Sequence, residues 1–310
     1  MSGARARAVL VQALAVVVVC AILGLIAAQV VANLRARGIA SGFAYLFRTA
    51  GFEIAPGLLP YSSRDTYAWA LAVGLVNTLR VSLLGMAIAT VLGFGIGLAR
   101  LSRVRVVSAL AAAYVEAFRN TPLLLQLLFW YSLSQALPGP GAALQPFPGV
   151  FLCNRGLFLP SFEGRPALVG FDLQGGLSIS PEFGAVLFSL ATYSAAFIGE
   201  IVRGGVLSVG TGQTEAAAAL GLSRGQTLRH VLLPQAMPVI VPPATSQFLS
   251  LAKNSSLAVA IGYPDLISVT DTTLNQTGQA LEAIAVATVA YLAINLTVSL
   301  LVSAWRRGRP

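Results

Sequence analysis

Charge is scarce in this chain. Of its 310 residues only 10% are Asp, Glu, Lys or Arg, where a soluble domain carries roughly a quarter. There is one histidine, His230, and one lysine, Lys253. A lone histidine excludes a histidine metal cluster and reads as a surface residue rather than a ligand. The lone lysine excludes a phosphate-cradling P-loop, which needs Gly-Lys followed by Ser or Thr. Lys253 stands between Ala252 and Asn254, so ATP is not bound here in that way. No Ser-His-Asp set exists beyond His230, and no carboxylate pair has a catalytic spacing. No enzyme chemistry, cofactor or metal is expected within the chain. The two cysteines, Cys20 in an apolar run and Cys153 in a polar loop, give no disulfide framework.

Hydrophobic residues make up 56% of the chain, and the mean hydropathy is +0.78. A soluble globule of this size lacks the polar surface to cover so much apolar matter. Lipid must cover part of it. The net charge of +9 would suggest nucleic acid in a soluble protein. Here the arginines lie between apolar runs, which makes them topology signals and contacts for anionic headgroups. No nucleic-acid partner is expected.

A hydrocarbon layer of about 30 Å takes about 20 apolar residues in a helix. Six segments meet or approach that length: 9–31, 69–99, 106–137, 183–206, 237–261 and 283–304. The expected fold is therefore all-α and membrane-embedded, with six transmembrane helices. The first run follows Arg5 and Arg7 but exceeds the roughly 7–15 residues of a signal h-region and lacks a clean cleavage site. It is read as an uncleaved helix. With the N-terminus inside, the cytoplasmic side holds Arg5, Arg7, Arg100, Arg103, Arg105, Arg203, Arg224, Arg229, Arg306, Arg307 and Arg309. The other side holds Arg35, Arg37, Arg48, Arg64, Arg155 and Arg165. The bias puts both termini in the cytoplasm. Residues 1–68 form an N-terminal helix with an outer loop, and 69–306 a transmembrane domain. Within the latter, 138–182 is rich in Pro and Gly and cannot span lipid, so it is an outer loop. Pro122, after Thr121, should kink or end the third segment.

Between the fourth and fifth segments, loop 207–236 reads as a compact cytoplasmic helix-turn-helix. Glu215 to Leu220 favour helix, with Glu215 near its positive end. Gly221 is placed for a left-handed stop. Ser223 with Gln226 matches a capping box that starts a second short helix. Leu228, Val231 and Leu232 give that helix an apolar stripe, and Pro234 ends it. The alanine-rich surface suits close docking of a rigid partner, though an ordinary amphipathic loop would have the same composition.

The pattern Glu215-Ala216-Ala217, Gly221, Val231, Leu233-Pro234 resembles the EAA loop of binding-protein-dependent ABC transporter permeases, with Val231 where the family often has isoleucine. Four further stretches are similar to the polar amino acid branch: Gly74 to Arg80, Glu116 to Gln126, Ala195 to Gly205, and Leu251 to Ala258. The extra first helix and Asn154 to Pro160 resemble the general L-amino acid or glutamate/glutamine/aspartate/asparagine subgroup, where an asparagine is expected at Cys153. The resemblance implies a type I (MetI-like) permease core in the bacterial inner membrane. It also implies that Glu215, Ala216, Ala217, Gly221, Leu233 and Pro234 couple to a separate ATPase subunit, which binds the ATP and Mg. A second permease subunit, identical or homologous, and a periplasmic solute-binding protein complete the implied assembly. The implied activity is ATP-driven import of polar L-amino acids by alternating access.

Charges within lipid usually face a bundle interior. An amino acid zwitterion needs a cation for its carboxylate and acceptors for its ammonium. Lys253, Asn254 and Ser255, with Glu116 and Arg119, are therefore candidates for the translocation path, as is Arg80. Structural readings stand beside these: Glu116 and Arg119 could neutralise each other at i, i+3, and Arg80 could snorkel to the interface. The rival to ATP-driven import is an ion-coupled secondary transporter, which would show intramembrane carboxylates and internal repeats. Only Glu116 speaks for it. A membrane enzyme would need an interfacial catalytic cluster, and a permease of the same family for another solute, such as an opine, stays open.

Overall fold

Apolar length and proline together decide where the helices begin and end. The structure, a computed structural model, describes residues 3–36, 38, 41–162 and 164–307. Arg37 and Arg309, counted above for topology, lie outside them. Helix α1 (Gly3–Ala36) leads, and its apolar window is 0% buried inside the protein. Helix α2 (Tyr67–Arg100) starts at Thr66, whose hydroxyl accepts from the Trp69 N–H at 3.3 Å.

The third apolar segment is two helices, α3 (Arg105–Asn120) and α4 (Leu123–Gln135). Pro122 has no N–H and forces the residue before it out of the helical region; Thr121 is extended, at φ −104 and ψ 127. Backbone carbonyls freed by the break need partners in a dry environment. Gln126 supplies them, donating from Nε2 to the carbonyls of Phe118 and Thr121 at 3.0 Å each.

The outer loop corrects the all-α expectation locally. It folds into β1 (Leu144–Phe147), β2 (Val150–Cys153), β3 (Gly156–Leu159), β4 (Ala167–Val169), β5 (Asp172–Gln174) and β6 (Leu177–Ile179). One antiparallel sheet has the order β1-β2-β3-β6, and β4 pairs with β5. A Cβ at Gly156 would lie 2.1 Å from the Ile179 carbonyl oxygen, so glycine is what lets β3 meet β6. The Arg155–Asp172 ion pair at 2.5 Å ties the first sheet to the hairpin. The strands have three or four residues each, too few for a period-2 signal to stand out.

Five helices follow. They are α5 (Pro181–Leu207), α6 (Thr211–Ala219), α7 (Arg224–Thr227), α8 (Leu233–Asn254) and α9 (Leu266–Thr277). A further long helix, α10 (Ala280–Arg307), closes the described chain. Among the described residues, four helices are singly long and apolar enough to cross a membrane: α1, α2, α5 and α10. The expected third span is the broken pair α3 and α4. The fifth is α8, which carries Pro238, Pro242 and Pro243 in its interior. Helix α9 was not foreseen.

The core is the α2–α5 pair. Gly85, Ala89, Gly93 and Gly97 form a buried stripe at spacing four on α2. A Cβ on Gly93 would lie 2.6 Å from Ile198, and one on Gly97 would lie 2.7 Å from both Val202 and the Gly199 carbonyl. Small residues let two helices approach closely where lipid offers no hydrophobic drive to pair them. Outside, segment 41–66 is pinned by Gly42 N–H to Glu282 Oε1 at 2.6 Å and by Tyr61 Oη donating to the Phe52 carbonyl at 3.0 Å. Burial first, then nearby Asp65 and Glu53, raise the Tyr61 phenol above its ordinary pKa, which keeps it a donor.

Candidate functional site

Residues 207–236 form a rigid elbow below the bundle. Helix α6 begins at Thr211, so Glu215 sits in its second turn and not at the positive end assigned to it from sequence. The end of α6 is a full Schellman stop: Gly221 N–H reaches the Ala218 carbonyl and Leu222 N–H the Ala217 carbonyl, each at 3.0 Å. Gly221 itself has φ +74, a conformation that costs a residue with Cβ about 1–2 kcal/mol. Both halves of the expected capping box exist. Ser223 N–H donates to Gln226 Oε1 at 2.8 Å and Gln226 N–H to Ser223 Oγ at 3.4 Å.

Pro234 does not end the second helix. Helical geometry continues from Arg224 through a π-turn at Leu228–Leu232 into α8, and Pro234 lies in the first turn of α8. The π-turn, in which Leu233 N–H bonds to the Leu228 carbonyl, shifts the hydrogen-bond register just before Pro234, where proline has no N–H to give. Leu228, Leu232 and Leu233 pack against the core. Gln235 Nε2 donates to Gln213 Oε1 at 3.2 Å, joining α6 to α8. A Cβ on Gly205 would meet Ile240 at 2.3 Å, so α5 and α8 touch directly above. The elbow is thus continuous with α8.

Its outer surface is small and open. Glu215, Ala216, Ala218 and Ala219 are exposed, Ala217 is buried, and Leu220 is 80% exposed at the tip.

Comparison with known proteins identifies the family. The profile of the binding-protein-dependent transport system inner membrane component matches residues 92–308. The chain belongs to that family. It is therefore a transport subunit of an inner-membrane importer, multi-pass and without catalytic chemistry of its own. It is 43% identical to the putative amino-acid ABC transporter permease protein YhdX of Escherichia coli (strain K12), over 97% of this chain and 93% of that one. It is 37% identical to the general L-amino acid transport system permease protein AapQ of Rhizobium johnstonii, over 97% and 91%. The YhdX match runs over 367 residues, more than this chain contains, so that relative has internal residues with no counterpart here. Among solved structures, a crystal structure of an amino acid ABC transporter with histidines superposes with TM-score 0.59 at 29% identity, covering 78% of this chain and 94% of that one. The inward-facing methionine transporter MetNI gives 0.57 at 20% identity, over 77% and 96%, which speaks for the MetI-like fold.

The permease places the proposed path residues in three separate locations. Lys253 is exposed and lines a groove of about 560 Å³ between α8, α9 and α10, with Asp271, Thr270, Tyr291 and Asn295. Asn254 is half-buried beside it, and Ser255 is fully buried, donating to the Ala252 carbonyl at 2.8 Å. Glu116 and Arg119 lie on α3, both exposed. They do not form an ion pair among the described residues: Glu116 accepts from Asn120 at 3.2 Å, and Arg119 lies 5.0 Å over the Phe197 ring. Arg80 is half-buried, 4.2 Å over the Phe183 ring.

Two features escaped the sequence reading. Glu200 on α5 pairs with Arg100 at the end of α2 and takes Arg203 Nη2 at 2.5 Å, clamping both helices just above the elbow. Glu200 and Arg203, three apart in an apolar run, were the available signal. The second is the chain break 255–265. A 3₁₀ turn (Ser255–Ile261), Gly262 at φ +75 and Pro264 leave backbone groups without helical partners. Asn77 Nδ2 donates to the Pro264 carbonyl at 2.9 Å, and Leu266 N–H donates to Thr78 Oγ1 at 3.0 Å. A Cβ on Gly74 would stand 3.0 Å from the Asp265 carbonyl oxygen. Gly74, Asn77 and Thr78 therefore accept the break against α2.

Proposed function

We propose that this permease imports a polar L-amino acid, such as glutamate, glutamine, aspartate or asparagine, by alternating access driven by a separate ATPase. The carrying observation is the elbow: a helix stopped at Gly221 and capped into a second that runs on into α8, with Ala216, Ala219 and Leu220 bare at its tip. A push on such a tip is transmitted to a membrane helix without being absorbed by a flexible loop. Only differential affinity of the ATPase for two permease states can drive the switch. The names of the relatives YhdX and AapQ, amino-acid and general L-amino acid permeases, support the cargo class.

The assembly proposed is an ATPase pair binding ATP and Mg, a second permease subunit, identical or homologous, and a periplasmic binding protein that delivers the solute. The arginine bias supports a topology with both ends and the 207–236 elbow in the cytoplasm and the 138–182 sheet outside. For the path, Lys253 faces the solute carboxylate and Asp271 its ammonium in the groove between α8, α9 and α10. Reconstitution of the co-expressed transporter tests the reading. ATP inside proteoliposomes should drive uptake of labelled glutamate or glutamine when the external binding protein is present and all ion gradients are collapsed. Uptake that follows a sodium or proton gradient without ATP would replace the importer with a secondary transporter.

A further inference from the structure

The inner ends of α2 and α5 and the elbow enclose a cavity of about 490 Å³. Its walls are of two kinds. Leu98, Leu101, Val206 and Leu222 form an apolar side that continues the membrane faces of α2 and α5. Arg103, in the link between α2 and α3, and Arg224, at the start of α7, form a cationic side with the hydroxyl residues Thr211 and Thr214. The arginines come from segments far apart in sequence, and neither belongs to an ion pair among the described residues. Glu200 on α5 is already taken by Arg100 and Arg203. Thr211 and Thr214 belong to the first turn of α6, whose N-terminus has no side-chain cap, so the helix dipole adds positive potential on the same side.

A cavity with two guanidinium groups in its lining and leucine and valine on the other wall matches an amphiphile whose head is a phosphate. Guanidinium forks suit phosphate oxygens. The arginines select the source: the apolar run of α2 ends at Arg100, and that of α5 meets Arg203, and arginines at the ends of apolar runs sit at headgroup level. We propose that this cavity holds the headgroup of an anionic phospholipid from the cytoplasmic leaflet, held by Arg103 and Arg224, with its acyl chains against α2 and α5. A lipid seated there bridges the α2–α3 link to the elbow. It would make the seating of the ATPase contact depend on anionic lipid. The inference rests on the cytoplasmic placement of the elbow proposed above. Lipid retention does not depend on sidedness, so the two readings fail separately.

The test uses the transporter purified with its partner subunits in nanodiscs of phosphatidylcholine and phosphatidylglycerol, followed by native mass spectrometry of retained lipid. The wild type should keep phosphatidylglycerol over phosphatidylcholine. Each arginine near a membrane surface is worth roughly fivefold, so Arg103→Gln with Arg224→Gln should lower retention about thirtyfold. Arg105→Gln, outside the cavity, should cost no more than the roughly fivefold of a single surface arginine. Thr214→Val serves as a milder variant should the double change not assemble, with retention lowered by a few fold. Equal retention of phosphatidylglycerol in the wild type and in whichever cavity variant assembles would overturn the proposal. So would displacement of the lipid by millimolar inorganic phosphate, which would make the cavity a site for a free anion.

Discussion

Single residues bear on this account where they hold an unusual backbone or stand alone in lipid. Gly221 holds a left-handed stop, so Gly221→Val should destabilise the elbow by at least about 1–2 kcal/mol. Substrate-stimulated ATPase activity in proteoliposomes should then fall severalfold while membrane insertion, read by expression level, stays normal. Asn77→Leu leaves the Pro264 carbonyl unpaired in a dry setting, at a cost of about 1–3 kcal/mol. Its thermal unfolding midpoint in detergent should drop by several degrees, and an unchanged midpoint would mean that water reaches that carbonyl. Lys253→Met removes the one lysine from the groove it shares with Asp271. Uptake should fall sharply with ATPase docking intact; unchanged uptake would take Lys253 out of the path.

At the level of elements, legibility followed the length of the signal. Helices α2, α5 and α10 were bounded to within a few residues because an apolar run of about 20 leaves little choice. Thr121-Pro122 announced the break between α3 and α4, since proline's missing N–H acts locally. The Schellman stop and capping box were also local, and Gly221, Ser223 and Gln226 sat where their chemistry required. What failed was tertiary or faint. The outer sheet has strands of three or four residues, which alternation does not reveal. Helix α9 depends on Asn77, Thr78 and Gly74 of a distant helix to accept the break before it. The stripe Gly85, Ala89, Gly93, Gly97 was readable at spacing four but is easily mistaken for composition. Its role is testable: Gly93→Leu would drive a side chain into Ile198, which a Cβ alone approaches to 2.6 Å. The α2–α5 pair should then separate, and the yield of monodisperse transporter should collapse, whereas Gly95→Leu, with open space around it, should be tolerated.

For the whole molecule, three structural levels point one way. The bundle core is α2 against α5; Glu200 clamps those two helices at their inner ends through Arg100 and Arg203; and α5 meets α8 at Gly205. The elbow hangs from this body and presents Leu220 outward. The topology is open to test by single-cysteine labelling in a background without Cys20 and Cys153. Cysteine at Phe171, 96% exposed on the outer hairpin, should react with an impermeant maleimide in intact cells, and cysteine at Leu220 only after permeabilisation. The reverse pattern would invert the permease.

The central claim is that the elbow is where an ATPase engages. Co-purification from membranes tests it most directly, comparing the wild type with a variant carrying Glu215→Lys and Gly221→Val. An ATPase subunit should accompany the wild type and be lost from the variant while the permease remains folded. An ATPase retained equally by both, or absent from both, would contradict the account.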